Sequence, residues 1–455
     1  VTTSTERGGI LAALRRGELA GTRELRLAGL GLTDFPPEIL GLADTLEVLD
    51  LSGNALTALP ADFGRLGKLR AFFASGNAFT RLPPSLGACP MLSQIGFRGC
   101  GLREVPAEAL PARLRWLTLT DNAVDALPDA LGLRPDLQKL MLAGNRLRAL
   151  PESLAGAARL ELLRLSANAF EALPPWLERL PRLAWLAWAG NPLDPAVRDQ
   201  AAAVPWNELQ PGRSLGEGAS GQVQEALWLP PGAARARPVA LKLFKGHMTS
   251  DGLPASEMAA CLTAGAHPHL TGALGRVTGH PEGRQGLLMP LLPEHWRVLA
   301  NPPSLASCSR DVYSPELRLT PAVALRMAHE AGLAAAHLHA RGLLHGDLYG
   351  HNLLWDGEHG ATVLSDFGAA SFLPAGTRSQ MLQRLEVRAW GLLLGELLDC
   401  CDVAPPGTAA LMQLQQDCVQ PDVSARPLMA EALSTLTRHG PPMPAACHES
   451  GLAPG

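Results

Sequence analysis

Lysine, asparagine and tyrosine are scarce in this chain of 455 residues. Only four of its 39 basic residues are lysine (Lys68, Lys139, Lys242 and Lys245), so a lysine within an apolar stretch needs a reason. Asparagine occurs nine times and tyrosine twice, at Tyr313 and Tyr349. No apolar run reaches the roughly 18 residues of a membrane-spanning helix, and the opening VTTSTERGG lacks a charged-then-apolar signal pattern. There is no basic block and the formal net charge is −4, which excludes nucleic-acid binding by bulk electrostatics. The eight cysteines (Cys89, Cys100, Cys261, Cys308, Cys400, Cys401, Cys418 and Cys447) show neither metal-ligand nor disulfide-scaffold spacing, which points to a reducing compartment. The expectation is a cytoplasmic protein with no membrane and no nucleic-acid partner.

With a hydrophobic fraction of 47%, the chain has ample material for two or more cores. Its first half repeats itself, through LRLAGLGL, LEVLDLSGNAL, LRAFFASGNAF, LSQIGFRGCGL, LRWLTLTDNAV, LQKLMLAGNRL, LELLRLSANAF and LAWLAWAGNPL. One position recurs at Leu30, Asn54, Asn77, Cys100, Asn122, Asn145, Asn168 and Asn191, a period of 22 to 24 residues. Six of the nine asparagines thus fall on one ladder, where an amide side chain can satisfy backbone groups as each strand bends away. The pattern resembles the leucine-rich repeat. That resemblance implies a right-handed α/β horseshoe with a parallel sheet on its concave face. A helix at about Thr5–Leu19 and another near Pro195–Val204 are expected to cap its ends. Phe73, Arg98, Trp116, Lys139, Met141, Leu162, Arg164 and Trp185 are expected to project from the concave face. So apolar a set reads either as a surface for a protein partner (Phe73, Trp116, Met141, Arg164 and Trp185) or as a face covered by neighbouring side chains or the second half of the chain.

The second half is organised around His345–Gly368, HGDLYGHNLLWDGEHGATVLSDFG. Two apolar runs, Leu353–Trp355 and Thr362–Leu364, flank a turn-rich Asp356–Gly360 and read as a hairpin that brings Asp347, Asn352 and Asp366 to one rim. Two hard oxygen ligands and a free carboxylate suit magnesium-assisted phosphoryl transfer. The stretch resembles the catalytic and metal-binding loops of eukaryotic-type protein kinases, with Asp347 as the catalytic aspartate and Asn352 and Asp366 as the Mg2+ ligands.

Other segments extend the resemblance. Leu215–Val223 (LGEGASGQV) carries a glycine-rich loop whose glycines at 216, 218 and 221 let amides approach phosphates, and a strand follows it rather than the helix of a dinucleotide site. Pro238–Lys242 (PVALK) places a costly lysine in an apolar strand, to be matched by ATP phosphates and by Glu257 on the next helix; Asp251 is the rival partner, read instead as a helix cap. Gln285–Pro293 reads as the strand into the hinge. The resemblance assigns ATP to Leu215, Gly216, Gly218, Ser220, Gly221, Val223, Ala240, Lys242, Glu257, Met289 and Leu292. Pro302–Pro315 reads as a surface loop, and Thr320–Gly342 as a helix.

Departures from the family are equally plain. Gly346 replaces the arginine before the catalytic aspartate, Tyr349 stands where serine/threonine kinases carry a lysine, and His351 is a candidate to compensate. No Ala-Pro-Glu follows Gly368, and Glu386 in EVRAWGLLLGELL replaces an aspartate. Arg426, in PDVSARP, matches a distal arginine whose usual partner is then missing. Ser371, Thr377 and Ser379 are candidate self-modification sites.

The whole reads as a multidomain chain, similar to bacterial protein kinases fused to repeats. It comprises an N-terminal cap (1–24), an α/β leucine-rich repeat horseshoe (25–204), a linker (205–211), a bilobal α+β kinase-like domain (212–437) and a flexible tail (438–455). The implied activity is transfer of the ATP γ-phosphoryl group to serine or threonine of a protein substrate, recruited or restrained by the horseshoe. The alternative is a kinase-like scaffold that binds nucleotide without catalysis; a small-molecule phosphotransferase is a third reading.

Overall fold

The leucine period folds into a curved solenoid. The computed structural model describes residues 4–194, 202–218, 221–245, 248–249, 251–405 and 407–439. After helix α1 (Ser4–Arg15) come eight short strands: β1 (Glu24–Arg26), β2 (Val48–Asp50), β3 (Ala71–Phe73), β4 (Gln94–Gly96), β5 (Trp116–Thr118), β6 (Lys139–Met141), β7 (Leu162–Arg164) and β8 (Trp185–Ala187). They form one parallel sheet in chain order. In each three-residue strand the middle side chain points inward. Leu25, Leu49, Phe72, Ile95, Leu117, Leu140, Leu163 and Leu186 are accordingly buried. Phe63, Phe72 and Phe97 follow one another through the core with ring centroids 5.1 and 5.7 Å apart, one pair tilted and the other edge to face, each pair adding about 0.5–1.5 kcal/mol beyond its burial.

The asparagine ladder works through its amides. Asn54 Oδ1 accepts from the Leu30 and Leu32 amides, while its Nδ2 donates to the Leu27 and Leu51 carbonyls. Asn145 likewise accepts from Val124 N and donates to the Leu119 and Leu142 carbonyls. At the position without asparagine, the Cys100 thiol still reaches the Ala74 carbonyl at 3.2 Å. The N-terminal cap is shorter than expected, because Gly17 at φ 73° turns the chain out of the helix. Of the expected second cap, residues 195–201 lie outside the described residues, and the chain resumes as strand rather than helix.

That strand, β9 (Ala203–Pro205), pairs parallel with a strand of the C-terminal domain. The stretch read as a linker is therefore built into the small lobe: Val204 and Leu209 are buried in its core. The lobe contains β10 (Leu209–Glu217), β11 (Gly221–Trp228), β12 (Arg237–Phe244), helix α2 (Pro254–Ala264), β13 (Gly275–Thr278) and β14 (Gly286–Pro290), with sheet order β10-β11-β12-β14-β13-β9.

The large lobe follows with β15 (Arg297–Val298), α3 (Pro321–Ala340), β16 (Leu343–Leu344), β17 (Leu353–Trp355), β18 (Thr362–Leu364), β19 (Ser371–Phe372), α4 (Thr377–Asp399), α5 (Thr408–Val419) and α6 (Met429–His439). Helix α3 begins where Thr320 accepts from the Val323 amide, with Pro321 in its first turn. Strands β17 and β18 pair antiparallel, which is the expected hairpin. Among the described residues no helix is long and apolar enough to cross a membrane.

The horseshoe and the large lobe share their apolar cores. Leu162, Ala184 and Trp185 pack in one cluster with Met327, Leu348, Phe367 and Trp390. Leu344, Leu382, Leu385 and Val423 belong in turn to the core of the horseshoe. The concave face is thus covered at its C-terminal repeats.

Candidate active site

Strand pairing assembles a cleft of about 630 Å³ between the lobes, within the usual range of small-ligand pockets. Strands β10 and β11 form a hairpin over it, closed by a bond from the Gly218 amide to the Gly221 carbonyl. Gly221 must be glycine, because a Cβ there would lie 2.6 Å from the Leu243 carbonyl oxygen on β12. Of the residues assigned to nucleotide, Leu215, Gly218, Gly221, Val223, Ala240, Lys242, Glu257, Met289 and Leu292 line the cleft. Gly216 lies in β10 outside the lining, and Ser220 falls outside the described residues. Cys261, Thr271, Trp296 and Leu354 also line it and carried no sequence signal of their own.

Lys242, in the middle of β12, forms a buried ion pair with Glu257 of α2. Burial works against its charge, but Glu257 and Asp366 outweigh it, and the Lys242 pKa lies above its ordinary value. The choice of Glu257 over Asp251 holds. Asp251 does not cap α2, whose cap position is Leu253 with no side-chain bond; it pairs instead with Arg164 at 2.6 Å.

Asp366 lies on the far wall, and Asp347 and Asn352 lie on the loop bonded to it through Ser365. Asn352 Nδ2 donates at 2.8 Å to both the backbone carbonyl and the Oδ2 of Asp347. This leaves its amide oxygen as a donor for a cation. The Ser365 amide and hydroxyl both bond the Asn352 carbonyl, at 2.9 and 2.8 Å, which ties Asp366 to the same loop. Asp366 has φ 62°, a left-handed conformation that costs a non-glycine residue of the order of 1–3 kcal/mol. An amide oxygen beside a carboxylate suits a hard divalent cation, so the donor chemistry fits Mg2+. Behind the loop, buried Glu386 of α4 accepts from the Gly346 amide at 2.7 Å and pairs with His339 at 2.8 Å. His351 is held at 2.7 Å by Asp311, with its other nitrogen 4.0 Å from Asp347. Burial opposes the His351 charge, but Asp311 and Asp347 together raise its pKa.

Residues 209–390 match the family model for protein tyrosine and serine/threonine kinases. Residues 112–170 and 45–66 match leucine-rich repeat models. The chain carries leucine-rich repeats followed by a protein kinase domain. No curated protein matches it.

The horseshoe packs against two of the departures of this kinase domain from its family, Gly346 and Tyr349. Gly346 has φ 73°, and a Cβ on it would lie 2.7 Å from the Leu186 carbonyl oxygen of the horseshoe and 2.6 Å from that of Ala369. An arginine has no room there. Tyr349 stacks on Trp185 with ring centroids 4.1 Å apart and planes 7° apart, and its hydroxyl donates to the Ser309 carbonyl. Trp185 also donates to the Leu348 carbonyl at 3.0 Å. Arg164, 1% exposed, is bonded to Asp347 and to the Gly346 carbonyl as well as to Asp251. Arg426 finds a partner in the horseshoe, donating to the Pro181 carbonyl at 2.7 Å.

Several expectations are corrected by this packing. Arg164 and Trp185 are not open to an outside partner but buried against the kinase domain, and Met141 packs on the shared core. Phe73 and Trp116 are half-buried, edge to face at 6.4 Å. The 302–315 stretch is no plain surface loop. Ser309 is buried and bonded to Gln138 and Glu161, while Arg115 donates to the Ala306 carbonyl. Ser371 is buried and accepts from the Trp188 amide, so of the three candidate modification sites it is closed. The polar column Arg115, Gln138 and Glu161, each just before a strand, was the sequence signal for this interface.

Proposed function

We propose that this protein is a catalytically competent serine/threonine kinase that uses Mg-ATP, acts on protein substrates and works in the cytoplasm. The observation that carries the reading is the Lys242–Glu257 pair and Asp366 on the lining of one cleft, with Asp347 and Asn352 hydrogen-bonded to each other on the loop that Ser365 ties to Asp366. Lys242 stays charged and fixed by Glu257, so it can grip the nucleotide phosphates under the β10–β11 hairpin. Asn352 and Asp366 would hold the cation, which when bound would offset the negative charge of the phosphates. Asp347 orients the acceptor hydroxyl and takes its proton. Burial alone would raise the Asp347 pKa, but Arg164, His351 and His345, with the Asn352 hydrogen bond, hold it below its ordinary value, so the group stands ready as an ionised hydrogen-bond acceptor.

Serine or threonine as acceptor rests on the supply of self-modification sites. Tyr349 is buried in its stack, and Tyr313 is committed to Glu396 at 3.0 Å. Thr377, at the start of α4, is exposed. The scaffold reading keeps one observation in its favour, since Arg164 covers the carboxylate that would act.

The test is transfer of labelled γ-phosphate from Mg-ATP to dephosphorylated casein, with phosphoamino-acid analysis of the product. It is run on the native chain, on Arg164→Ala and on each with Asp347→Asn. Label on serine or threonine that disappears with Asp347→Asn supports the reading. Binding of Mg-ATP with no transfer by any of the four supports the scaffold; label confined to tyrosine overturns the acceptor assignment.

A further inference from the structure

Two halves of the reaction site differ in access. Among the described residues, the nucleotide cleft is lined by residues from Arg213 onward, with none from the horseshoe. Asp347 is absent from that lining and faces the horseshoe instead. We propose that the horseshoe occupies the phosphoacceptor subsite of its own kinase domain, with the Arg164 guanidinium standing where a protein hydroxyl must meet Asp347. The proposal rests on the kinase reading above and adds to it the occupant of the acceptor side.

Hydrogen-bond accounting leads there directly. Asp347 Oδ2 is taken by Asn352, as part of the fixed loop, and Oδ1 is the oxygen left for an acceptor. Arg164 holds Oδ1. The same guanidinium bonds the Gly346 carbonyl at 2.9 Å and Asp251 at 2.6 Å, so it is fixed at three points and cannot swing aside as an exposed arginine would. Trp185 closes the next stretch of the loop by stacking on Tyr349 and bonding the Leu348 carbonyl. The Trp188 amide seals the third side at Ser371. A substrate chain that presented a hydroxyl to Asp347 would have to pass through these groups.

Tyr349 and Gly346 fit the same account. A lysine at 349 would add a further cation to Arg164, Lys139 and Arg310, whereas a tyrosine ring stacks on Trp185. Gly346 is required by the close approach of the Leu186 carbonyl. Meanwhile the Lys242–Glu257 pair is already made, so the closed chain needs nothing but acceptor access. Farther out, Glu178 pairs with Arg378, and the Arg182 carbonyl accepts from Arg388 at 3.1 Å, which holds the horseshoe down without touching the reacting groups.

The experiment compares the full native chain with Arg164→Ala and Arg164→Lys in labelled transfer from Mg-ATP to dephosphorylated casein, together with amide hydrogen exchange. Arg164→Ala is expected to raise the initial rate by about tenfold, within the usual 5–150-fold span of such couplings, and Arg164→Lys by less. The KM for ATP should stay unchanged, and exchange at 345–349 should quicken while that at 239–244 does not. Glu178→Ala, distant from the reacting groups, should give a smaller rise, and it decides the matter if Arg164→Ala fails to fold. Equal transfer by native and variant chains overturns the proposal, and so does slower transfer by Arg164→Ala, which would make Arg164 an aid to catalysis. Absence of transfer from every form, with Mg-ATP bound, instead overturns the kinase reading and this proposal with it.

Discussion

Gly346→Ala tests the approach of the two domains at its tightest point. The residue has φ 73°, and its new Cβ would lie 2.6 Å from one carbonyl oxygen of the kinase domain and 2.7 Å from one of the horseshoe. A left-handed backbone costs an L-residue about 1–2 kcal/mol. Forcing a methyl group against two backbone oxygens adds about 1–3 kcal/mol. The sum is a destabilisation of roughly 2–5 kcal/mol, read as a shift of the urea midpoint at unchanged slope in tryptophan fluorescence. Buried Trp185, Trp188 and Trp390 report the two cores that meet here. The Leu186 clash can be relieved by lifting the horseshoe, whereas the Ala369 clash cannot. Gly346→Ala should therefore also speed hydrogen exchange at 185–188 and at 345–349. Gly346→Arg, which restores the family residue, should do so more severely. A midpoint shift worth under about 0.5 kcal/mol, the ordinary scale of an innocuous substitution, would refute the reasoning.

Other outcomes follow from the same contacts. Lys242→Met should keep the fold and weaken Mg-ATP binding by about tenfold or more, as loss of a charge-assisted phosphate contact implies; titration calorimetry reads it, and native affinity would remove Lys242 from the site. Asn145→Ala orphans the Val124 amide and the Leu119 and Leu142 carbonyls. It should cost about 2–4 kcal/mol in a denaturation curve, more than a single lost bond. Cys89, Cys261 and Cys418 have their pKa pushed up to about 12 by burial. Cys261 should thus resist alkylation at pH 8 despite lining the cleft, and rapid labelling of it in the native chain would contradict that.

The repeat architecture was open to reading because its signal is redundant. Most turns carry one asparagine for the same backbone bonds and several leucines for the core, so a substitution such as Cys100 hardly blurs the pattern. The groups proposed for catalysis were legible for a related reason, since chemistry fixes residue type and the local loops fix spacing. Lys242 and Glu257 are 15 residues apart yet lie on adjacent elements, and a buried lysine demands an acid. Arg164 was a different case. Its partner Asp347 lies 183 residues on, and nothing in either segment encodes the curvature that brings them together. The residues read as faults in the catalytic loop, Gly346 and Tyr349, were in fact complements to that distant face. Strand β9 escaped notice too, because three residues carry no periodicity and its pairing with β13 is made across the small lobe.

On the reading proposed above, Asp347 serves a working kinase closed by its own horseshoe. The most direct measurement is labelled γ-phosphate transfer from Mg-ATP to casein by Arg164→Ala, compared with the same chain carrying Asp347→Asn as well. The account predicts clear incorporation in the first and a fall of about 10²–10⁴-fold in the second, the usual worth of a positioned general base. Equal incorporation by the two, or none by either while both bind Mg-ATP, would contradict it.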